Sequence, residues 1–350
     1  MSVTDSATTG AADVDATGVD VIGMGDTGAK AAALVMHGDC GLHDTGWGHP
    51  EHQGRLPAIV NALYRETPAL LDHIIQHEAR HASEAQLLRV HTSDHIGTVR
   101  AAAAEAARTG TVVRLDADTM VSAASWDAAL AAAGCAIDAV DLVMTERAHT
   151  ALALCRPPGH HASPDRAMGF CLFNNAAIAA RAAQAEHDVE RVLIIDWDVH
   201  HGNGTQDVFY GDPRVFYLSF HLDAHYPGTG AAYETGVGAG IGTTLNVPLR
   251  AGTPAAEYRA SFSAAVRSAF AEARPNLVVV SAGYDCLTGD PLGGLMLEPE
   301  DMHAMTREVM ESAEESAVGR VVVVLEGGYA PARVGAGVVA TLRALARLEC

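Results

Sequence analysis

The densest run of chemistry-bearing side chains is Asp196-Trp197-Asp198-Val199-His200-His201-Gly202-Asn203-Gly204, which follows the apolar stretch Val192–Ile195. Alternate side chains of an extended strand share a face, so Asp196, Asp198 and His200 are expected to point the same way. Two carboxylates and an imidazole converging at a strand end make a start for a divalent metal site. Asp285, in Ser281-Ala282-Gly283-Tyr284-Asp285 after another apolar run, is the natural further ligand. A single Asp-x-His more often caps a helix or pairs with arginine; here the histidine pair and glycine-rich turns favour a metal. Three protein ligands of mixed oxygen and nitrogen type with an open position suit a catalytic zinc, and iron(II) or cobalt fit the same donors. Two carboxylates offset the charge of the dication and leave it a weaker Lewis acid than three imidazoles would. Other groups must therefore share the work.

Such groups are present. Arg156-Pro157-Pro158-Gly159-His160-His161-Ala162 sets adjacent histidines on a stiff loop, as a general base and acid. Asp196, which the metal does not need, can orient one of them and raise its pKa. Glu326-Gly327-Gly328-Tyr329 offers a phenol on a sharp turn, placed to donate to the oxyanion of a tetrahedral intermediate. A turn tyrosine packed on the surface is the alternative reading.

Short apolar runs must carry these loops. Residues 31–36 read as a strand ending at His37-Gly38, followed by the polar loop His43-Asp44-Thr45-Gly46-Trp47-Gly48-His49-Pro50-Glu51. Leu56, Ile59, Val60 and Leu63 then recur at helical spacing. Alanine-rich helices are expected around 96–107 and 125–144, with Ser122 or Ser125 as the N-cap of the second. Four apolar runs, 150–154, 192–195, 277–280 and 321–325, each end in a polar cluster. The pattern is that of an α/β protein with a mostly parallel sheet covered on both faces, binding ligands beyond the strands' carboxyl ends. With no repeat and no interior linker, one domain is expected over 31–350. Residues 1–30, rich in Ala, Gly, Thr and Asp, read as a flexible tail and not as a secretory signal.

Bulk properties narrow the partners. With 23 basic against 43 acidic residues the formal net charge is −20, which disfavours direct binding to nucleic acid and suits a cationic substrate. No run approaches the roughly 18 apolar residues of a membrane span. The six cysteines include no Cys-x-x-Cys pair, so neither a thiolate metal cage nor a disulfide framework is indicated, and a cytoplasmic location is expected.

In order along the chain, these motifs resemble those of the histone deacetylase superfamily. Gly169-Phe170-Cys171-Leu172-Phe173-Asn174-Asn175, Asp290-Pro291-Leu292-Gly293-Gly294 and the loop leading to His49-Pro50-Glu51 join them, over roughly residues 34–345. Asn174-Asn175 and Asn203 look like the class II branch, with bacterial deacetylase-like and acetylpolyamine amidohydrolases. The resemblance implies the arginase/deacetylase fold, with about eight central strands flanked by helices. It implies one zinc on Asp198, His200 and Asp285, and a structural monovalent cation, usually potassium, on Asp196, Asp198, His200, Ser219 and Phe220. It pairs Asp196 with His160 and Asn203 with His161, prefers His161 as general base, and gives Tyr329 the substrate carbonyl. Phe170, Gly169 and Tyr226 would line the acyl-chain tunnel. An amide partner stabilises imidazolium less than a carboxylate does, so His161 should be the less basic histidine.

The implied function is removal of acetyl groups from acetyl-lysine or acetylpolyamines. Access narrowed by loops or by a partner subunit in a homo-oligomer would favour the small substrate. The alternatives are an amidohydrolase for another small acylated amine, an arginase-like enzyme with a second metal, and a catalytically weak acyl-lysine reader.

Overall fold

A computed structural model describes residues 30–350. The tail expected over 1–30 falls outside the described residues except for Lys30, which opens the first strand. In chain order the elements are β1 (Lys30–Met36), α1 (Arg55–Leu70), β2 (Ile74–Glu78), α2 (Glu84–Leu87), α3 (Ser93–Thr109), β3 (Val113–Arg114), β4 (Met120–Val121), α4 (Ser125–Met144) and β5 (Ala148–Ala153). There follow α5 (Asn175–Glu186), β6 (Val192–Asp196), α6 (Asn203–Phe209), β7 (Val215–Leu222), β8 (Thr244–Leu249), α7 (Ala255–Ala273), β9 (Leu277–Ala282), α8 (Pro299–Ala317), β10 (Val321–Leu325) and α9 (Pro331–Leu345).

Eight strands form one sheet in the order β2-β1-β5-β10-β9-β6-β7-β8, with every pairing parallel. β3 and β4 form a separate antiparallel ribbon. The central strands β6, β9 and β10 are buried at every residue, which their unbroken Val, Leu and Ile runs require of a sheet with both faces covered. α1, α9, α8 and α7 pack in succession, while α4 and α5 pair with each other. No helix among the described residues is long and apolar enough to cross a membrane.

Three local expectations are corrected. Val60 is 43% exposed, unlike Leu56, Ile59 and Leu63. α1 packs chiefly against α9, and Val60 borders an open surface groove between α1 and strands β1 and β2. α4 is capped by neither Ser122 nor Ser125: its N-cap is Ala124, and the Ser125 hydroxyl accepts the Ser122 amide at 2.7 Å. Finally, β6 stops at Asp196, so Asp198 and His200 do not continue a strand face. The Asp196 carboxylate accepts the Asp198 amide at 3.1 Å, and Asp198 accepts that of His200 at 2.9 Å. Such side-chain bonds to an amide two residues on replace ladder bonds and bend the chain.

Buried histidines outside the cavity, His91 and His43 among them, make stability depend on pH. His91 hydrogen-bonds the Ser163 carbonyl through Nδ1 (3.1 Å) and accepts the Asn174 amide on Nε2 (2.9 Å), a pattern that only the neutral ring satisfies. Burial pushes His91 down to about 3. Burial likewise holds His43 at about 4, against the pull of Glu51. Both lie below the unfolded value of about 6.5, so the unfolded chain takes up two protons that the folded chain refuses. Their stabilisation is complete above about pH 6.5 and falls by up to about 2.7 kcal/mol per unit towards pH 4. Urea unfolding at pH 7, 6 and 5 should show stability falling as pH falls, with a smaller slope in His91→Gln. An unchanged slope in that variant would remove His91 from the account.

Candidate active site

At the carboxyl ends of β6, β9 and β10 the polar clusters meet. Asp198 and His200 follow β6, Asp285 follows β9, and all three are buried. His200 Nδ1 lies 3.0 Å from Asp198 Oδ1 and 3.2 Å from Asp285 Oδ2. The outer carboxylate oxygens are held by backbone: Asp198 Oδ2 accepts the Gly327 amide (2.9 Å), and Asp285 Oδ1 the Val199 amide (2.9 Å). Asp285 Oδ2 is buried and receives no hydrogen bond. Burial, and then the Asp198 charge, push the Asp285 carboxyl up to about 7. Two buried carboxylates, one with an unspent oxygen aimed at an imidazole, are a donor set that a dication completes. The space is also reserved, because a Cβ on Gly283 or Gly327 would collide with the Asp198 carboxylate.

The tandem histidines stand beside these donors, with rings 4.0 Å apart. His160 Nδ1 bonds Asp196 Oδ2 at 3.0 Å, and His161 Nδ1 bonds Asn203 Oδ1 at 2.9 Å, which are the two expected pairings. Burial opposes charge on both rings. Asp198 and Asp196 nevertheless raise His160 well above its ordinary value. His161 is held well below by burial and by the neighbouring His160 and His200. Gly169 (φ 55°) leaves room for the His161 ring, with which any Cβ there would clash.

Above this floor opens a cavity of about 420 Å³, lined by His161, Gly169, Phe170, His200, Tyr226 and Tyr329 among others. Phe170 meets Tyr329 edge-on at 5.6 Å, and Tyr226 meets His161 edge-on at 5.1 Å. Burial pushes the Tyr329 phenol up, so it keeps its proton at neutral pH. The surface-packed reading of Tyr329 does not hold, since it is only 8% exposed. Of the residues assigned to a monovalent cation, Asp196 and Ser219 are register partners on β6 and β7, and Phe220 follows. The Ser219 hydroxyl hydrogen-bonds His221 at 2.8 Å.

Residues 49–345 match the family model described as "Histone deacetylase domain". The chain belongs to the histone deacetylase family. It is 38% identical to "Histone deacetylase 10, chloroplastic" of Oryza sativa subsp. japonica over 85% of this chain and 69% of that protein. With the "Histone deacetylase-like amidohydrolase" of Pseudomonas aeruginosa it shares 40% identity over 81% of this chain and 73% of that one. The crystal structure of the HDA15 HD domain superposes with a TM-score of 0.86 at 35% identity, covering 92% of this chain and 90% of that one. The chain is thus a deacetylase-family amidohydrolase with that family's single-domain fold.

The candidate site rests on residues to which the sequence assigned no role. Glu326 accepts the Gly159 and His160 amides (2.6 and 3.1 Å) and fixes the histidine loop. The Tyr217 hydroxyl donates to Asp196 Oδ2 at 3.0 Å, beside His160. Asp290 takes the Tyr329 and Ala330 amides on one oxygen (2.6 and 3.1 Å). Arg55 donates to the Gly328 and Glu326 carbonyls (2.7 and 2.6 Å), and its guanidinium carbon lies 5.1 Å from the centre of the Tyr329 ring. The Glu51-x-x-x-Arg55 spacing was a legible signal, but such pairs at a helix start are usually solvated.

Glu51 is fully buried between Arg55 (2.9 Å) and Arg156 (2.6 Å). Burial opposes its charge, yet Arg156 and Arg55 hold its carboxyl below the ordinary range. Glu51→Gln leaves two buried guanidinium groups without their counter-charge and should cost about 3 to 5 kcal/mol in urea unfolding. A loss under about 1 kcal/mol would show that the arginines do not depend on that charge.

Proposed function

We propose that this amidohydrolase removes acetyl groups from acetylated amines with one zinc ion held by Asp198, His200 and Asp285. The observation that carries the reading is the unspent Asp285 oxygen facing His200 and Asp198 at the floor of a cavity walled by Phe170, Tyr226 and Tyr329. When bound there, zinc supplies Lewis acidity that polarises the scissile carbonyl and acidifies a water.

The protein's own groups account for orientation and proton movement. An acyl-amine chain entering the cavity lies between the Phe170 and Tyr226 rings, which exclude water from it. The Tyr329 phenol donates to the carbonyl oxygen as negative charge develops there. His161, kept neutral by burial and its neighbours, takes the proton of the attacking water through its free Nε2. His160, held protonated by Asp198 and Asp196, faces the developing negative charge, and His161 passes its proton to the leaving amine. Asp196, Asp198, His200, Ser219 and Phe220 would hold a structural potassium ion.

The substrate amine is cationic when released, which suits the acidic balance of the chain. The test is acetate release by zinc-loaded protein from an acetyl-lysine peptide and from an acetylated polyamine, each with a chelated control. Chelator-sensitive turnover is expected, and the faster substrate identifies the class. No turnover on either, with zinc bound, would overturn the reading in favour of another acyl substrate or an acyl-lysine reader.

A further inference from the structure

A second group of metal-type donors stands apart from the cavity. His37 follows β1, Asp39 lies in the short 3-10 turn Gly38–Gly41, and His81 comes three residues after β2. β1 and β2 are parallel neighbours with Met36 opposite Glu78, so both chains leave the sheet side by side. The Met36 carbonyl accepts the Ala79 amide at 2.8 Å, and Ala82, next to His81, donates to Leu130 at 2.9 Å. These backbone bonds fix where the two histidines emerge.

One donor atom from each of His37, Asp39 and His81 lies within 4.8 Å of the others. Asp39 Oδ2 is 2.8 Å from His81 Nε2 and 3.8 Å from His37 Nδ1, and the imidazole centroids are 4.6 Å apart. The side chains are 18%, 32% and 35% exposed for His37, Asp39 and His81, so an ion arriving from solvent can reach them and keep water in its remaining positions. The Cα atoms sit on turns anchored to the sheet, which lowers the ordering cost of gathering the ligands.

We propose that His37, Asp39 and His81 form a second, surface site for a divalent transition metal, of which zinc is the probe. Two imidazoles and one carboxylate suit zinc, nickel or copper(II), whereas calcium and magnesium prefer an all-oxygen shell. His37 Nδ1 accepts the Asp39 amide at 3.1 Å, so a metal on that nitrogen replaces this bond and reshapes the turn. The same segment runs on to Cys40 and His43, whose carbonyls accept from Arg156 Nη1 at 3.4 and 2.6 Å. The ion therefore ties the sheet edge to the loop that delivers Glu51 to Arg156 and Arg55.

Metal content of the full chain after equilibrium dialysis against zinc tests this, with cobalt(II) absorption as a second readout. The wild type should hold two equivalents, and His81→Ala or His37→Ala one. Asp198→Ala, which removes the cavity site, should also hold one, and the Asp198→Ala/His81→Ala pair none. Zinc content unchanged by both His81→Ala and His37→Ala, with thermal unfolding showing folded protein, would overturn the proposal. A wild type with one equivalent, lost in Asp198→Ala alone, would overturn it while leaving the cavity reading intact. Loss of an equivalent in His81→Ala but not in Asp198→Ala would do the reverse.

Discussion

Asp285→Ala should lose one equivalent of zinc and fall to background turnover. Asp285 supplies one of the three buried donors, and it is the one whose Oδ2 no hydrogen bond engages. Loss of a residue that only orients a ligand typically weakens metal affinity about 10- to 100-fold, and loss of the ligand itself should exceed that. Asp285 Oδ1 also receives the Val199 amide at 2.9 Å, so alanine frees a buried donor as well. Asp285→Asn separates the two effects, because its side-chain oxygen still accepts from Val199 while the charge is gone. Both variants are expected to be inactive and metal-poor, with asparagine the more stable in urea. Wild-type zinc content together with wild-type turnover in Asp285→Asn would remove Asp285 from the ligand set.

Tyr329→Phe should lower kcat by about 100- to 1,000-fold, the range for losing one oxyanion donor. The ring is held by its edge contact with Phe170 and by Arg55, and its backbone by Asp290, none of which uses the hydroxyl. Folding, zinc content and KM should therefore change little, which separates this variant from Asp285→Ala. Full activity with zinc in place would mean that the phenol does not serve the carbonyl oxygen.

Parts of this protein were legible before any tertiary structure. Runs such as Val192–Ile195 and Val321–Leu325 are too apolar for anything but covered strands, and the polar residues that follow them had to lie at the sheet's carboxyl edge. Adjacent pairs and short spacings also carried far: His160-His161, and Asp198 two residues before His200. What misled was geometry beyond the strand. Period-two alternation placed Asp196, Asp198 and His200 on one face, whereas the aspartates bend the chain after Asp196 by capturing amides two residues ahead.

That bend turns Asp196 to His160 and Tyr217 while Asp198 and His200 meet Asp285, a division that local periodicity does not encode. Arg55 and Glu51 likewise look like solvated charges in a helix-start sequence. Only the packing of α1 against the loops after β5 and β10 buries them and sets Arg55 beneath Tyr329. The sequence by itself determined the residue types, the five strands β1, β5, β6, β9 and β10 and their order of chemistry, because these follow from local spacing and burial tendency, whereas β2, β7 and β8 emerged only with the sheet. The tertiary structure decided how the chain bends to bring each carboxylate to its imidazole and what holds it there, because that depends on contacts between separate segments, as when the Gly327 amide after β10 fixes the Asp198 carboxylate after β6.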